Sequence, residues 1–199
     1  VKVPGQAHPG HLVLVGMMGA GKSSLGQAVA RLLERPFRDG DREVEARTGH
    51  TVAELFAEGG EAAFRVEEAV TLAALLADPT PSVIATGGGA VLDPTNRRLI
   101  RQAATDGGLV VWLRADPEVL AARVPGATHR PLLDRDPTAV LTELVTARAP
   151  LYAEVADLEL DARQPMTALR AAVASAVTGR EAVVPVEPAP AAEAGRSPR

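Results

Sequence analysis

The sequence predicts an α/β fold built on a parallel sheet, and three observations carry that prediction. Short runs rich in Val, Leu and Ile recur along the chain and alternate with longer segments of helical period. The first run, His11–Val15, leads through Gly16-Met17-Met18-Gly19-Ala20-Gly21-Lys22-Ser23 into a helical pattern, the strand-loop-helix setting of a phosphate-binding loop. Aromatic residues are scarce, with one Trp, one Tyr and three Phe in 199 residues. The core must therefore be made of Val, Leu, Ala and Ile, which suits strands buried under helices on both faces.

The elements follow in order. Residues 1–10 hold two Pro and two Gly and read as a loose arm. After the first strand, a helix runs from about Lys22 to Glu34, with Leu25, Val29, Leu32 and Leu33 on one face. Pro36-Phe37 opens a short extended piece ending at Asp39-Gly40-Asp41, and Glu43–Arg47 is a helical turn stopped by Gly49. Thr51-Val52-Ala53-Glu54 is a capping box that starts a short helix through about Glu58. Gly59-Gly60 breaks it, and a longer helix runs from Glu61 to about Ala77. Ser82–Thr86 is a buried strand running into Gly87-Gly88-Gly89. Pro94 opens a helix to about Thr105, and Leu109–Leu113 is the next strand. Asp116-Pro117 caps and starts a helix to Arg123. Two Pro and a Gly make 124–136 a loop, Pro137–Ala149 is helical, Leu158–Leu160 is the last strand and Thr167–Val177 the last helix. From Gly179 on, Pro, Ala and Glu dominate without apolar periodicity, so 11–178 is one domain and 179–199 a disordered tail.

Composition narrows the function. A net charge of −4 without a Lys/Arg block argues against nucleic acid as a partner. The absence of cysteine excludes disulfides and thiolate metal sites. No apolar run reaches the roughly 20 residues of a membrane span, and Val1–Gly10 lacks the layout of a signal peptide, so a cytoplasmic protein is expected.

The phosphate loop carries the clearest chemistry. Its glycines let successive N–H groups of Gly19, Ala20, Gly21, Lys22, Ser23 and Ser24 face phosphate oxygens at a helix N-terminus. Lys22 reaches the β- and γ-phosphates, and the Ser23 hydroxyl is placed to ligate Mg²⁺. Only two of the 21 basic residues are lysine, and one of them stands here, where a compact ammonium fits better than a guanidinium. Asp39 and Asp41 lie at the end of the second extended piece. They read either as a solvated acidic turn or, beside a phosphate loop, as a pair of carboxylates turned to one site. Gly87-Gly88-Gly89 is either a strand-to-loop connector or a place where backbone approaches a ligand. Arg65 reads as a helix surface charge, and Arg148 as a cation in a helix's last turn. Arg130, in Arg130-Pro131-Leu132-Leu133, reads as a cation on a mobile lid.

Taken together, Asp-x-Asp, Gly60-Glu61-Ala62-Ala63-Phe64-Arg65, Thr86-Gly87-Gly88-Gly89, Arg130-Pro131-Leu132-Leu133 and Arg148-Ala149-Pro150-Leu151-Tyr152, in this order after the phosphate loop, resemble the shikimate kinase family from Gly16 to about Val177. The resemblance implies a P-loop NTPase-type three-layer sandwich like that of the nucleoside monophosphate kinases. Its five-stranded parallel sheet carries helices on both faces, a substrate-binding insert at about 40–70 and a lid at about 124–136. It implies transfer of the γ-phosphoryl of ATP to the 3-hydroxyl of shikimate, with Mg²⁺, by a monomer. On the same resemblance Asp39 helps hold Mg²⁺ through water, while Asp41 binds the acceptor hydroxyls and assists their deprotonation. Arg65 and Arg148 clamp the acceptor carboxylate, and Gly87, Gly88 and Gly89 offer it backbone contacts. Arg130 reaches the ATP phosphates, and Arg123 packs on adenine. The chain departs from the family near the last strand, where Asp161-Ala162-Arg163-Gln164-Pro165 replaces an Asn and two Arg often found around the adenine. The competing readings are another small-molecule kinase of this fold, such as a gluconate kinase, and a nucleotide-binding regulator without turnover.

Overall fold

The computed structural model describes residues 8–123 and 137–179. Five strands, β1 (Leu12–Val15), β2 (Phe37–Asp39), β3 (Val83–Ala85), β4 (Leu109–Arg114) and β5 (Leu158–Asp161), pair in parallel in the order β2-β3-β1-β4-β5. All four residues of β1 are fully buried, although alternate side chains of a strand point to opposite faces. Both faces of the sheet are therefore covered, as expected of a strand that is apolar at every position.

The helices are α1 (Lys22–Leu33), α2 (Gly40–Thr48), α3 (Val52–Ala77), α4 (Pro94–Thr105), α5 (Pro117–Arg123), α6 (Pro137–Val155) and α7 (Met166–Thr178). Helix α1 packs with α7, while α4 packs with α3 and α6. The Thr51–Glu54 capping box forms, with each partner bonding the other's backbone N–H. The break at Gly59-Gly60 is a kink within α3, where Gly60 leaves the helical region at φ 69°. No helix among the described residues is long and apolar enough to cross a membrane.

Register decides where chemistry can collect. Leu14 lies opposite Ala85, and Ala85 opposite Asp39, so the chain leaves β1, β3 and β2 at one sheet edge. The phosphate loop, the triple glycine and the Asp39-Gly40-Asp41 turn follow those three strand ends directly. That C-terminal edge is where open parallel sheets bind ligands.

Three expectations need correcting. Helix α6 does not stop at Ala149 but continues through Pro150 to Val155. An interior proline costs a helix about 3 kcal/mol, and burying Tyr152 and Val155 beyond it offsets that cost. Arg148 consequently sits well inside a helix, where the dipole at the helix end does not explain it. Helix α2 is a full nine residues and begins at Gly40. Residues 8–10 of the expected loose arm are tied down: the His8 N–H donates to Val177 O (2.6 Å) and the Gly10 N–H to Gly107 O (3.1 Å). Arg35 from the end of α1 donates to the His8 and Gly10 carbonyls at 3.0 and 2.9 Å. Residues 1–7, the expected lid 124–136 with Arg130, and 180–199 of the expected tail lie outside the described residues.

Candidate active site

The phosphate loop is built to hold an anion. Helix α1 starts at Lys22, and Gly21 at its N-cap takes φ 95°, a left-handed conformation open to glycine and strained for other residues. Gly21 has no side chain to satisfy the first N–H groups of the helix, so they face the loop's concavity. Lys22 is buried, and its Nζ donates to the carbonyls of Gly16 (2.8 Å) and Met17 (2.9 Å). The ammonium is thus held over the loop, where phosphate oxygens would offer it stronger, charged acceptors.

Asp39 occupies the N-cap position of α2, yet its side chain caps nothing there. Its Oδ2 instead accepts a 2.6 Å hydrogen bond from the Ser23 hydroxyl. A capping carboxylate normally adds about 1 kcal/mol to a helix, and here the carboxylate is turned toward the phosphate loop instead of the helix end. Asp41 lies in the first turn of the same helix, and its Oδ1 lies 3.2 Å from where a Cβ on Gly87 would stand.

A cluster of guanidinium and carboxylate groups packs on the triple glycine. Arg65 donates to Glu61 Oε1 (2.9 Å) and to Glu68 Oε2 (2.6 Å). Its guanidinium lies directly on Gly89, where any Cβ would collide with it, and a Cβ on Gly87 would collide with Glu68. The glycines therefore let the charged side chains of Arg65 and Glu68 approach the backbone. Arg148 is 5% exposed and donates to Gly88 O at 3.3 Å, and no carboxylate of the described residues forms an ion pair with it. A buried guanidinium without a carboxylate partner is costly alone and well suited to an anionic ligand.

Sequence reasoning missed Glu68. It is 5% exposed, and its Oε1 has no hydrogen-bond partner among the described residues. Burial pushes its carboxyl above the ordinary carboxylate range; Arg65 pulls it down, Asp41 pushes it further up, and Arg148 pulls it down. Burial also works against the Arg65 charge, but Glu68 and Glu61 outweigh it and hold that guanidinium above its ordinary value. The spacing of Glu61, Arg65 and Glu68 at i, i+4 and i+7 was the available signal. Because the folded-state value of Glu68 exceeds the unfolded one, its favourable contribution is complete below the unfolded value and lost as pH rises through the folded value. Glu68→Gln should therefore gain in melting temperature relative to the wild type as pH is raised from about 4 to about 8. A difference that stays flat across thermal melts in that range would show that burial does not govern this carboxyl.

One cavity of about 1260 Å³ joins these parts. Gly19, Ala20, Gly21, Lys22, Ser23, Ser24, Asp39, Asp41, Arg65, Gly87, Gly88, Gly89, Arg123 and Arg148 all line it. At its far end Arg123 donates to Ala162 O (2.9 Å), tying α5 to the segment after β5, and Gln164 and Met166 complete the wall. Among the described residues no group of three or more His, Cys, Asp or Glu is gathered as for an all-protein metal cage. A hydroxyl and a carboxylate beside a phosphate cradle instead match the donor set that shares Mg²⁺ with substrate phosphates and water.

Known proteins resemble the chain over most of its length. A family model described as shikimate kinase matches residues 18–178. A shikimate kinase of Caulobacter vibrioides is 52% identical over 144 residues, which are 72% of this chain and 70% of that protein. One from Burkholderia pseudomallei is 47% identical over 156 residues, 78% of this chain and 82% of that protein. Among solved structures, that of a shikimate kinase from Acinetobacter baumannii in complex with shikimate superposes with a TM-score of 0.78 at 37% identity, covering 83% of this chain and 91% of that one.

Proposed function

The chain belongs to the shikimate kinase family of ATP-dependent phosphotransferases, and from that premise we propose how its own residues carry out transfer of the γ-phosphoryl to the 3-hydroxyl of shikimate. The observation that supports the proposal is one cavity lined by Lys22 and Ser23 of the phosphate loop, the triple glycine, and Arg65 and Arg148.

ATP lays its phosphates along the N–H groups from Gly19 to Ser24, and Lys22 leaves its loop carbonyls for the β- and γ-oxygens. Ser23 directly and Asp39 through water would hold Mg²⁺, which neutralises charge on those oxygens when bound. Arg130 adds a second cation to the same phosphates, and Arg123 stacks on the adenine. Arg65 and Arg148 take the shikimate carboxylate with forked donors, while Gly87, Gly88 and Gly89 offer backbone contacts. Asp41 accepts a hydrogen bond from the acceptor hydroxyl and takes its proton as oxygen attacks the γ-phosphorus and ADP departs. ATP and shikimate are its partners, and the chain is read as a monomer acting without nucleic acid or membrane. Dependence on ATP supports a cytoplasmic location.

The direct test is a panel of hydroxy acids with ATP, following ADP release and identifying the product by mass and phosphorus NMR. Shikimate should be phosphorylated at its 3-hydroxyl; turnover of gluconate in its place would overturn the assignment. The glycine floor is tested separately. Gly89→Ala places a Cβ where the Arg65 guanidinium lies and should raise KM for shikimate about tenfold or more with little change for ATP. An unchanged KM for shikimate would show that Arg65 has room to move and still bind.

A further inference from the structure

The last aromatic residue of the Arg148–Tyr152 motif does not touch the cavity, yet its hydroxyl is spent on the cavity's floor. Tyr152 is 1% exposed and stacks on Trp112 with ring centroids 5.8 Å apart. Phe would serve that stacking equally well, so packing does not account for the hydroxyl, and a buried hydroxyl is costly unless bonded. It donates to the carbonyl of Gly88 at 2.5 Å, the carbonyl to which Arg148 Nη1 donates at 3.3 Å. The Tyr152 hydroxyl also stands 3.5 Å from the sulfur of Met17 in the phosphate loop. Gly88 itself lies against that loop, with the Met18 nitrogen 3.2 Å from where its Cβ would stand. Tyr152 thus sits where the phosphate loop, the glycine floor and the Arg148 side chain meet.

We propose that Tyr152 is a positioning residue for the acceptor: its hydroxyl fixes the Gly88–Gly89 peptide plane and, through the shared carbonyl, the aim of Arg148. A trans peptide sets its C=O and N–H in opposite directions. Holding the Gly88 carbonyl toward Tyr152 and Arg148 therefore points the Gly89 N–H the other way. Burial pushes the phenol up to about 12, which keeps it a proton donor throughout the working pH range. In the same arrangement Arg148 keeps its carbonyl contact and directs its remaining donors from a fixed base. The proposal rests on the shikimate kinase reading above and adds a residue that neither contacts substrate nor titrates during turnover.

The experiment is steady-state kinetics on Tyr152→Phe, Arg148→Lys and the double variant, with shikimate and ATP varied separately. Direct titration of shikimate, followed by the fluorescence of the chain's single tryptophan, Trp112, accompanies it. Wild-type turnover of shikimate is established first, so a failure of the family activity is seen apart from a failure of this proposal. Tyr152→Phe should weaken shikimate binding and raise its KM about five- to tenfold while KM for ATP stays within about twofold. The double variant should lose clearly less than the product of the two single losses, because both residues act on one carbonyl and Arg148 also bonds the Tyr152 hydroxyl. Circular dichroism and thermal melts confirm that the variants are folded. A folded Tyr152→Phe protein with both KM values unchanged, or with both shifted alike, would overturn the proposal, and so would losses that simply multiply in the double variant.

Discussion

Lys22→Met should lower kcat by roughly 10²–10³-fold or more while the protein stays folded. The expectation comes from what the ammonium does in each state. Without ligand it is buried and bonded to the Gly16 and Met17 carbonyls, within six residues of its own position. Both bonds lie within the phosphate loop itself. Methionine fills much of the same volume, removes a buried charge and leaves two carbonyls short of a donor. These terms oppose one another at about 1 kcal/mol each, so the melting temperature should move by only a few degrees. In the transition state, by contrast, negative charge spreads over the γ-phosphoryl oxygens, and no neighbouring lysine replaces the missing cation. ADP release in a coupled assay, set beside a thermal melt, separates the two effects. A variant with normal kcat would remove Lys22 from the chemistry and leave phosphate binding to the loop's N–H groups alone.

The phosphate loop was legible because glycine spacing, a strand before it and a helix after it are all local. The same holds for the capping box at Thr51 and for β1, whose apolar run announced a strand buried on both faces. Arg65, Arg148 and the triple glycine stayed open when read residue by residue, and only the family resemblance gave them roles. Arg65 in sequence is one guanidinium on a helix, and only the fold lays it on Gly89, 24 residues away. Glu68 was missed because its burial depends on that same packing, and a glutamate on a helix normally faces water. The end of α6 was misjudged for a related reason. Pro150 reads locally as a stop, but the burial of Tyr152 and Val155 is a tertiary gain that local propensity does not contain. The Ala162–Met166 wall carries no motif at all; Arg123 finds it through a backbone carbonyl, a contact without a side-chain signature.

Replacing the two acceptor arginines by lysine should separate the halves of the site. If Arg65 and Arg148 hold the shikimate carboxylate, each makes a charge-assisted contact in a partly desolvated pocket. Loss of one should cost about 2–4 kcal/mol in acceptor recognition, or roughly 30- to 1,000-fold in kcat/KM. Lysine keeps the charge but not the fork, so its retained charge should not rescue the contact. The two positions should differ. Arg65 already answers to Glu61 and Glu68, and a lysine there keeps carboxylate partners that hold its charge. Arg148 has no such pair among the described residues and is 5% exposed. A lysine ammonium at that depth meets the full cost of burial and, with a lower intrinsic pKa than arginine, tends to lose its proton. Arg148→Lys should accordingly be the more damaging change and lose further activity as pH rises. On the proposed roles, KM for ATP should barely move in either variant, since neither residue belongs to the phosphate loop. An acceptor analogue without the carboxylate should be nearly indifferent to both substitutions, because the interaction they remove is absent from it. Kinetics with shikimate and ATP varied separately, repeated across pH for Arg148→Lys, provide the measurement. Normal shikimate constants in both variants would reduce the two arginines to structural partners of the glycine floor and require another holder for the carboxylate.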